Sequence, residues 1–144
     1  MSFRTTILAA LLPLLAACST SGSLYPVAGG FYEASQIAPI EVTLSGAVRN
    51  SGTMSVTLPD GEALEGPWSL VGKANSVASW GTLMAQYDNS AAELAANPEA
   101  YRGKAYLVGD RGTTMDVEYA LVGSSGKGLG IARDSRNNIY RVVF

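Results

Sequence analysis

The sequence predicts a mainly β fold, a small antiparallel barrel or sandwich of about seven or eight short strands with one short helix near 91–96. Three observations lead there. Apolar and polar residues alternate over several short runs, as in strands with one buried face. Turn-forming residues separate those runs at the spacing of sandwiches and barrels. Sixteen glycines supply the turns and bulges that many short strands need.

The N-terminus has a different character. Arg4 precedes an apolar stretch, 7–17, broken only by Pro13. A basic residue followed by a short apolar run is the pattern of a signal peptide. The run falls short of the about 20 residues needed to span a bilayer as a helix. Ala16-Ala17 fits an ordinary cleavage site, but the next residue is Cys18, the sole cysteine. Leu15-Ala16-Ala17-Cys18 resembles the signal of bacterial lipoproteins. That resemblance implies cleavage before Cys18, a diacylglyceryl thioether on its sulfur and often a further acyl chain, such as palmitate, on the new amino group. At about 0.8 kcal/mol per buried CH₂, one chain holds weakly and two or three hold firmly. Ser19, where an Asp would favour the inner membrane of a Gram-negative cell, implies the periplasmic face of the outer membrane. The expected organisation is a cleaved signal peptide over 1–17, a lipidated Cys18 with a flexible Ser/Thr/Gly tether over 18–23, and a single β-rich domain over 24–144.

Along that domain, order is expected from Leu24, and 28–39 has no period and reads as loop or irregular edge. Ile40–Ser45 places Ile40, Val42 and Leu44 on one face and Glu41, Thr43 and Ser45 on the other. After the turn residues Asn50-Ser51-Gly52, the run 53–58 points Met54, Val56 and Leu58 inward. Asp60-Gly61 then signals a hairpin, because glycine accepts positive φ without steric cost. The return run, 62–71, aligns Leu64, Trp68 and Leu70, with Pro67 marking an interruption or an edge. Residues 76–87 fit a strand with Val77, Leu83 and Tyr87 on one face better than a helix pairing Trp80, Leu83, Met84 and Tyr87. Ser90 and Glu93 make a capping box for the helix, and Asn97-Pro98 ends it. Strands are expected at 104–108 and 115–121, the latter with Met115, Val117, Tyr119 and Leu121 inward. A turn at 123–128 leads to a last hairpin, 129–133 and 139–144, around 134–138.

Composition narrows the chemistry. The formal charge is −2, and −3 once Arg4 leaves with the leader, which gives no basic footprint for nucleic acid. There is no histidine, so the commonest general base, metal ligand and pH switch are missing. One cysteine makes no internal disulfide. No cofactor, metal or catalytic residue is expected, and Cys18 is the one assigned site.

Four features invite a functional reading, and each has a simpler one. The glycine-rich 123–130 imitates a phosphate loop. Leu121 stands where that pattern needs its first glycine, Gly128 where it needs Ser or Thr, and Arg133 where a dinucleotide motif needs its third glycine. Asp116 and Glu118 share a strand face and could work as a carboxylate pair, although outward acids are ordinarily solvating groups. Ser45 and Ser90 lack a histidine to activate them, and Asp60 is explained by its turn. The aromatic set (Tyr25, Tyr32, Trp68, Trp80, Tyr87, Tyr101, Tyr106, Tyr119, Tyr140) serves packing or a glycan- or protein-binding face.

The segments from Gly61-Glu62 to Gly66-Pro67-Trp68, and from Gly128-Leu129-Gly130 to Tyr140, resemble small uncharacterised Gram-negative envelope lipoproteins with short strands. Ser45-Gly46-Ala47 is similar to a loop of β-barrel lysozyme-inhibitor lipoproteins, whose further cysteines are missing here. The expected role is therefore a non-catalytic structural or adaptor lipoprotein, held to the membrane by the lipid on Cys18. The alternative is a periplasmic binding module or inhibitor that captures a glycan or a protein on an exposed β-face. An enzyme is the third reading.

Overall fold

A computed structural model describes residues 19–36, 38–46, 50–73, 97–122 and 126–144. Eight strands make one closed barrel in which every strand pairs antiparallel with its neighbours in sequence, and β1 closes the circle on β8. They are β1 (Ser19–Ala28), β2 (Ile40–Ser45), β3 (Ser51–Thr57), β4 (Ala63–Lys73), β5 (Ala100–Gly109), β6 (Thr114–Val122), β7 (Lys127–Asp134) and β8 (Ile139–Val143). One short helix, α1 (Gly30–Glu33), lies between β1 and β2. Barrel, not sandwich, is the outcome, and no described strand is left with an unpaired edge.

Alternation builds the core. Val42 and Leu44 of β2, Met54 and Val56 of β3, Leu64 and Trp68 of β4, Leu107 of β5, and Met115, Val117 and Tyr119 of β6 all point inward and are buried in one cluster. Full burial of such a side chain is worth about 1.5–3 kcal/mol. Trp68 keeps its indole satisfied by donating from Nε1 to the Ser45 carbonyl at 2.9 Å. The intervening residues, among them Glu65, Lys104, Asp116, Arg133 and Arg141, are exposed on the wall.

The up-and-down path sorts the connections into two ends. At the proximal end β1 begins, and Phe144 closes the barrel. Its backbone exchanges hydrogen bonds with Gly128 at 2.9 and 3.2 Å. Its ring meets Tyr119 edge-on, with centroids 5.2 Å apart. At the distal end lie α1 and the β3–β4, β5–β6 and β7–β8 turns.

Two expectations need correction, and a third, that Pro67 marks an interruption or an edge, resolves to an interruption. Residues 19–23 are not a flexible tether but the first half of β1, with Ser19 opposite Ser45 and Ser23 between Glu41 and Val143. Pairing with β2 along its length, joined by β8 from Ser23 onward, orders a polar segment whose own sequence has no strand pattern. Within 28–39, read as loop, Gly30–Glu33 forms one helical turn. Pro67 sits at no edge: its strand runs unbroken beside β3, with Thr53 opposite Pro67. Pairing with β5 lapses between Glu65 and Trp68, so the ladder is interrupted on one side only, where proline has no N–H to give. The expected strand at 76–87 and helix at 91–96, together with Cys18, lie outside the described residues.

Candidate functional site: the charged cluster at the distal end

The distal end gathers the densest polar contacts among the described residues. It starts from a turn. Asp60 accepts a hydrogen bond from the Glu62 backbone N–H at 3.1 Å, an Asx turn that tightens the β3–β4 hairpin. The turn drives Glu62 beneath the β5–β6 hairpin, where it is only 2% exposed. Its carboxylate accepts from the backbone N–H groups of Arg111 (3.1 Å) and Thr113 (2.9 Å) and from the Thr113 hydroxyl (2.6 Å). A buried carboxylate is costly unless paired and hydrogen-bonded, and Glu62 meets that condition.

Two arginines complete the pairing. Arg111 Nη2 donates to the Asp60 carbonyl at 2.9 Å and to Oδ1 at 3.0 Å. Arg136, from the β7–β8 turn, donates from Nη1 to Asp60 Oδ2 at 2.5 Å and brings Nη2 within 3.8 Å of Glu62 Oε2. Its guanidinium also lies 5.2 Å from the centroid of the Phe31 ring of α1, a cation–π arrangement. Asp134 is the second buried hub. It accepts from the N–H groups of Arg136 and Asn138, each at 2.9 Å, from Asn138 Nδ2 at 2.8 Å and from the Tyr140 hydroxyl at 2.8 Å. Asn138 Oδ1 in turn accepts the Phe31 N–H at 3.1 Å and fastens α1 to the cluster.

The electrostatics follow from these contacts. The hydrogen bond from Arg136 holds the Asp60 carboxyl below its ordinary range, against the opposing effect of burial. The Thr113 hydroxyl does the same for Glu62. Burial would lower Arg136, but the hydrogen bond and charge of Asp60 outweigh it and raise the arginine. Burial, then the bond to Asp134, pushes the Tyr140 phenol up, so it stays a neutral donor. The cluster ties three hairpins together by ion pairs and hydrogen bonds and fastens α1 by a cation–π contact and a hydrogen bond, and each of its charged groups is engaged by another residue.

The sequence-predicted candidates are scattered. Asp116 and Glu118 do share the outer wall, but Glu118 pairs with Lys104 at 3.4 Å and Asp116 stands opposite Arg133. Together with Tyr106 and Pro67 they line a groove of ≈1030 Å³ on the outside of β3–β7. Ser45 donates its hydroxyl to the Thr53 carbonyl at 3.2 Å. Of 123–130, residues 126–130 are a turn glycine followed by the start of β7, and 123–125 lie outside the described residues. So do Ser90, Trp80, Tyr87 and Cys18. Trp68, Tyr119 and Tyr140 are core, whereas Tyr25, Tyr32, Tyr101 and Tyr106 are exposed.

Sequence reasoning took Asp60 as a turn residue and missed its partners Glu62, Arg111 and Arg136, and with them Thr113 and Asp134 elsewhere in the cluster. Asp134 and Asn138 could have been found as turn-capping residues in a polar run. The burial of Glu62 had no local signal. No protein-family model matches the chain, and neither the curated proteins nor the solved structures contain a significant match.

Proposed function

We propose that this chain is a bacterial envelope lipoprotein, anchored through Cys18, whose barrel is a non-catalytic structural or adaptor module. The observation that carries this reading is the polarity of the wall. Lys104, Glu118, Asp116, Arg133 and Arg141 are borne outward on β5–β8, beside a small apolar cluster of Ile131 and Ile139 on the same face, while the main apolar core is turned inward. A barrel that crosses a bilayer has the reverse arrangement, and an outward Lys or Arg at the midplane costs it about 2–4 kcal/mol. The charged residues on this wall support a barrel that does not cross the bilayer. On this reading, attachment comes from outside the barrel, through a lipid on Cys18. The self-paired distal cluster supports a structural rather than catalytic use, since its carboxylates are already committed to arginines and N–H groups. Metabolic labelling with palmitate tests the anchor: the wild-type chain takes up label and Cys18→Ser does not. Label retained in the variant, or none in the wild type, removes the anchoring reading.

The groove around Tyr106 favours a second reading, capture of a glycan or a peptide on the outer wall. Against it, the exposed aromatics form no single patch. Tyr25 is on β1 and Tyr106 on β5, across the barrel from each other, and Tyr32 is on α1 at the distal end. Titration of envelope glycans against the fluorescence of Trp68, which borders the groove, decides this: no change with any of them excludes glycan capture there.

A further inference from the structure

We propose that the distal half of the outer wall across β2–β5 is a docking face for an extended, basic segment of another protein. The proposal rests on the adaptor reading and gives it a surface and a partner chemistry. Strand register assembles the face. Thr43, Ser55, Glu65 and Val108 stand side by side on β2, β3, β4 and β5, all on the outside of the barrel. In the next row towards the distal end Thr57 stands opposite Ala63, whose carbonyl accepts the Asp110 N–H at 3.0 Å. The short side chains of Thr43, Ser55, Thr57 and Ala63 leave a groove of ≈610 Å³, with Glu41 on one bank and Val108 on the other. Glu41 and Thr57 also line a second hollow of ≈540 Å³ that reaches Ala34 at the end of α1.

Two properties of the groove select its occupant. One bank is apolar. Val108 is 52% exposed, and Tyr106, two residues earlier on the same strand face, is 48% exposed. The β4–β5 register sets the exposed Pro67 beside Tyr106. Covering such a strip removes apolar surface from water. The charge, in turn, has one sign. Glu41, Glu65 and Asp110 line the groove and no lysine or arginine does. Glu41 accepts from the Ser21 hydroxyl at 3.5 Å and Asp110 from the Ala63 N–H at 3.3 Å. Among the described residues no cation pairs with any of the three, whereas Asp60 of the distal cluster holds two arginines. A segment carrying Lys or Arg beside apolar side chains complements both properties, and an acidic one is repelled. The exposed Tyr106 ring offers a further contact to a cation. From β2 to β5 the face spans three strand spacings, about 14 Å, which an extended chain covers with about four residues.

The test follows the fluorescence anisotropy of a rhodamine-labelled peptide titrated with the full mature chain in neutral detergent. The peptide repeats lysine, serine, valine and serine, so that lysine and valine alternate on one side of an extended chain. A peptide with glutamate in place of lysine is the control. The expected result is binding of the lysine peptide alone, weakening as salt rises. Glu65→Lys should weaken it by about tenfold and Val108→Ser by less; both side chains stand exposed on the wall, outside the core. Glu99→Lys, the same change of charge at an exposed position before β5, should leave binding unchanged. No binding of the lysine peptide, or equal binding of both peptides, overturns the proposal. So does an equal loss in Glu65→Lys and Glu99→Lys, which reduces the effect to net charge. Displacement of the peptide by a neutral oligosaccharide overturns it in favour of a glycan. Palmitate labelling tests the anchor on Cys18 separately, so failure here removes the docking face and leaves the anchor standing.

Discussion

Gly103 has no side chain because the ring of Tyr119 occupies the place where one would stand. A Cβ built there would collide with the ring atoms of Tyr119, on the strand paired beside it. The ring cannot retreat freely, since its other neighbour is Phe144 and it is fully buried. Burial also pushes its phenol well above the ordinary tyrosine range, so it remains neutral in the core. Gly103→Ala should therefore act as an overpacking mutation, costing about 1–3 kcal/mol. Urea denaturation would register it as a lower midpoint with an unchanged slope. A midpoint equal to that of the wild type would mean that the ring moves aside at no cost.

Elements are joined at the distal end by carboxylates rather than by apolar packing, and this makes the joint acid-sensitive. Asp60 and Glu62 have ordinary values of 3.8 and 4.5, and both are depressed in the folded state, by Arg136 and by Thr113 respectively. A depressed folded value means that the unfolded chain binds protons first. The stabilisation is thus complete above the ordinary values and is lost as pH falls through the depressed ones. Thermal melts should show a steep fall in Tm on acidification below about pH 4, and the double variant Asp60→Asn, Glu62→Gln should flatten that fall. An unaltered acid slope in the variant would place the sensitivity elsewhere. The same elements show what could be read in advance. β2, β3 and β6 were legible because each alternates cleanly, one face bound for the core. β1 was not, because 19–23 is Ser, Thr and Gly, and its order comes from pairing with β2, with β8 joining only at Ser23. Glu62 was illegible as a site residue for a related reason. The groups that bury and satisfy it lie 49 and 51 residues further along the chain, and only closure of the barrel brings them together.

For the whole molecule, β1 has two tasks that the sequence kept apart: it follows the proposed anchor and it closes the barrel. Its pairing with β8 joins residues near the two ends of the chain, so closure is the least local contact in the fold and carries the largest loop-closure cost. Without it, β2 and β8 would present unpaired edges, and unpaired edges recruit other chains. Phe144 would also lose Gly22, the glycine whose missing side chain lets its ring pack at the proximal end. Deleting residues 19–28 should therefore convert a monomer into oligomers or aggregates on size exclusion, rather than leave a smaller stable barrel. A synthetic peptide of residues 19–28, supplied during refolding, should restore the monomer by adding a strand between those edges. A truncated chain that elutes as a monomer with unchanged stability would show that closure by β1 is dispensable. The segment would then be free to serve as the tether that its sequence suggests.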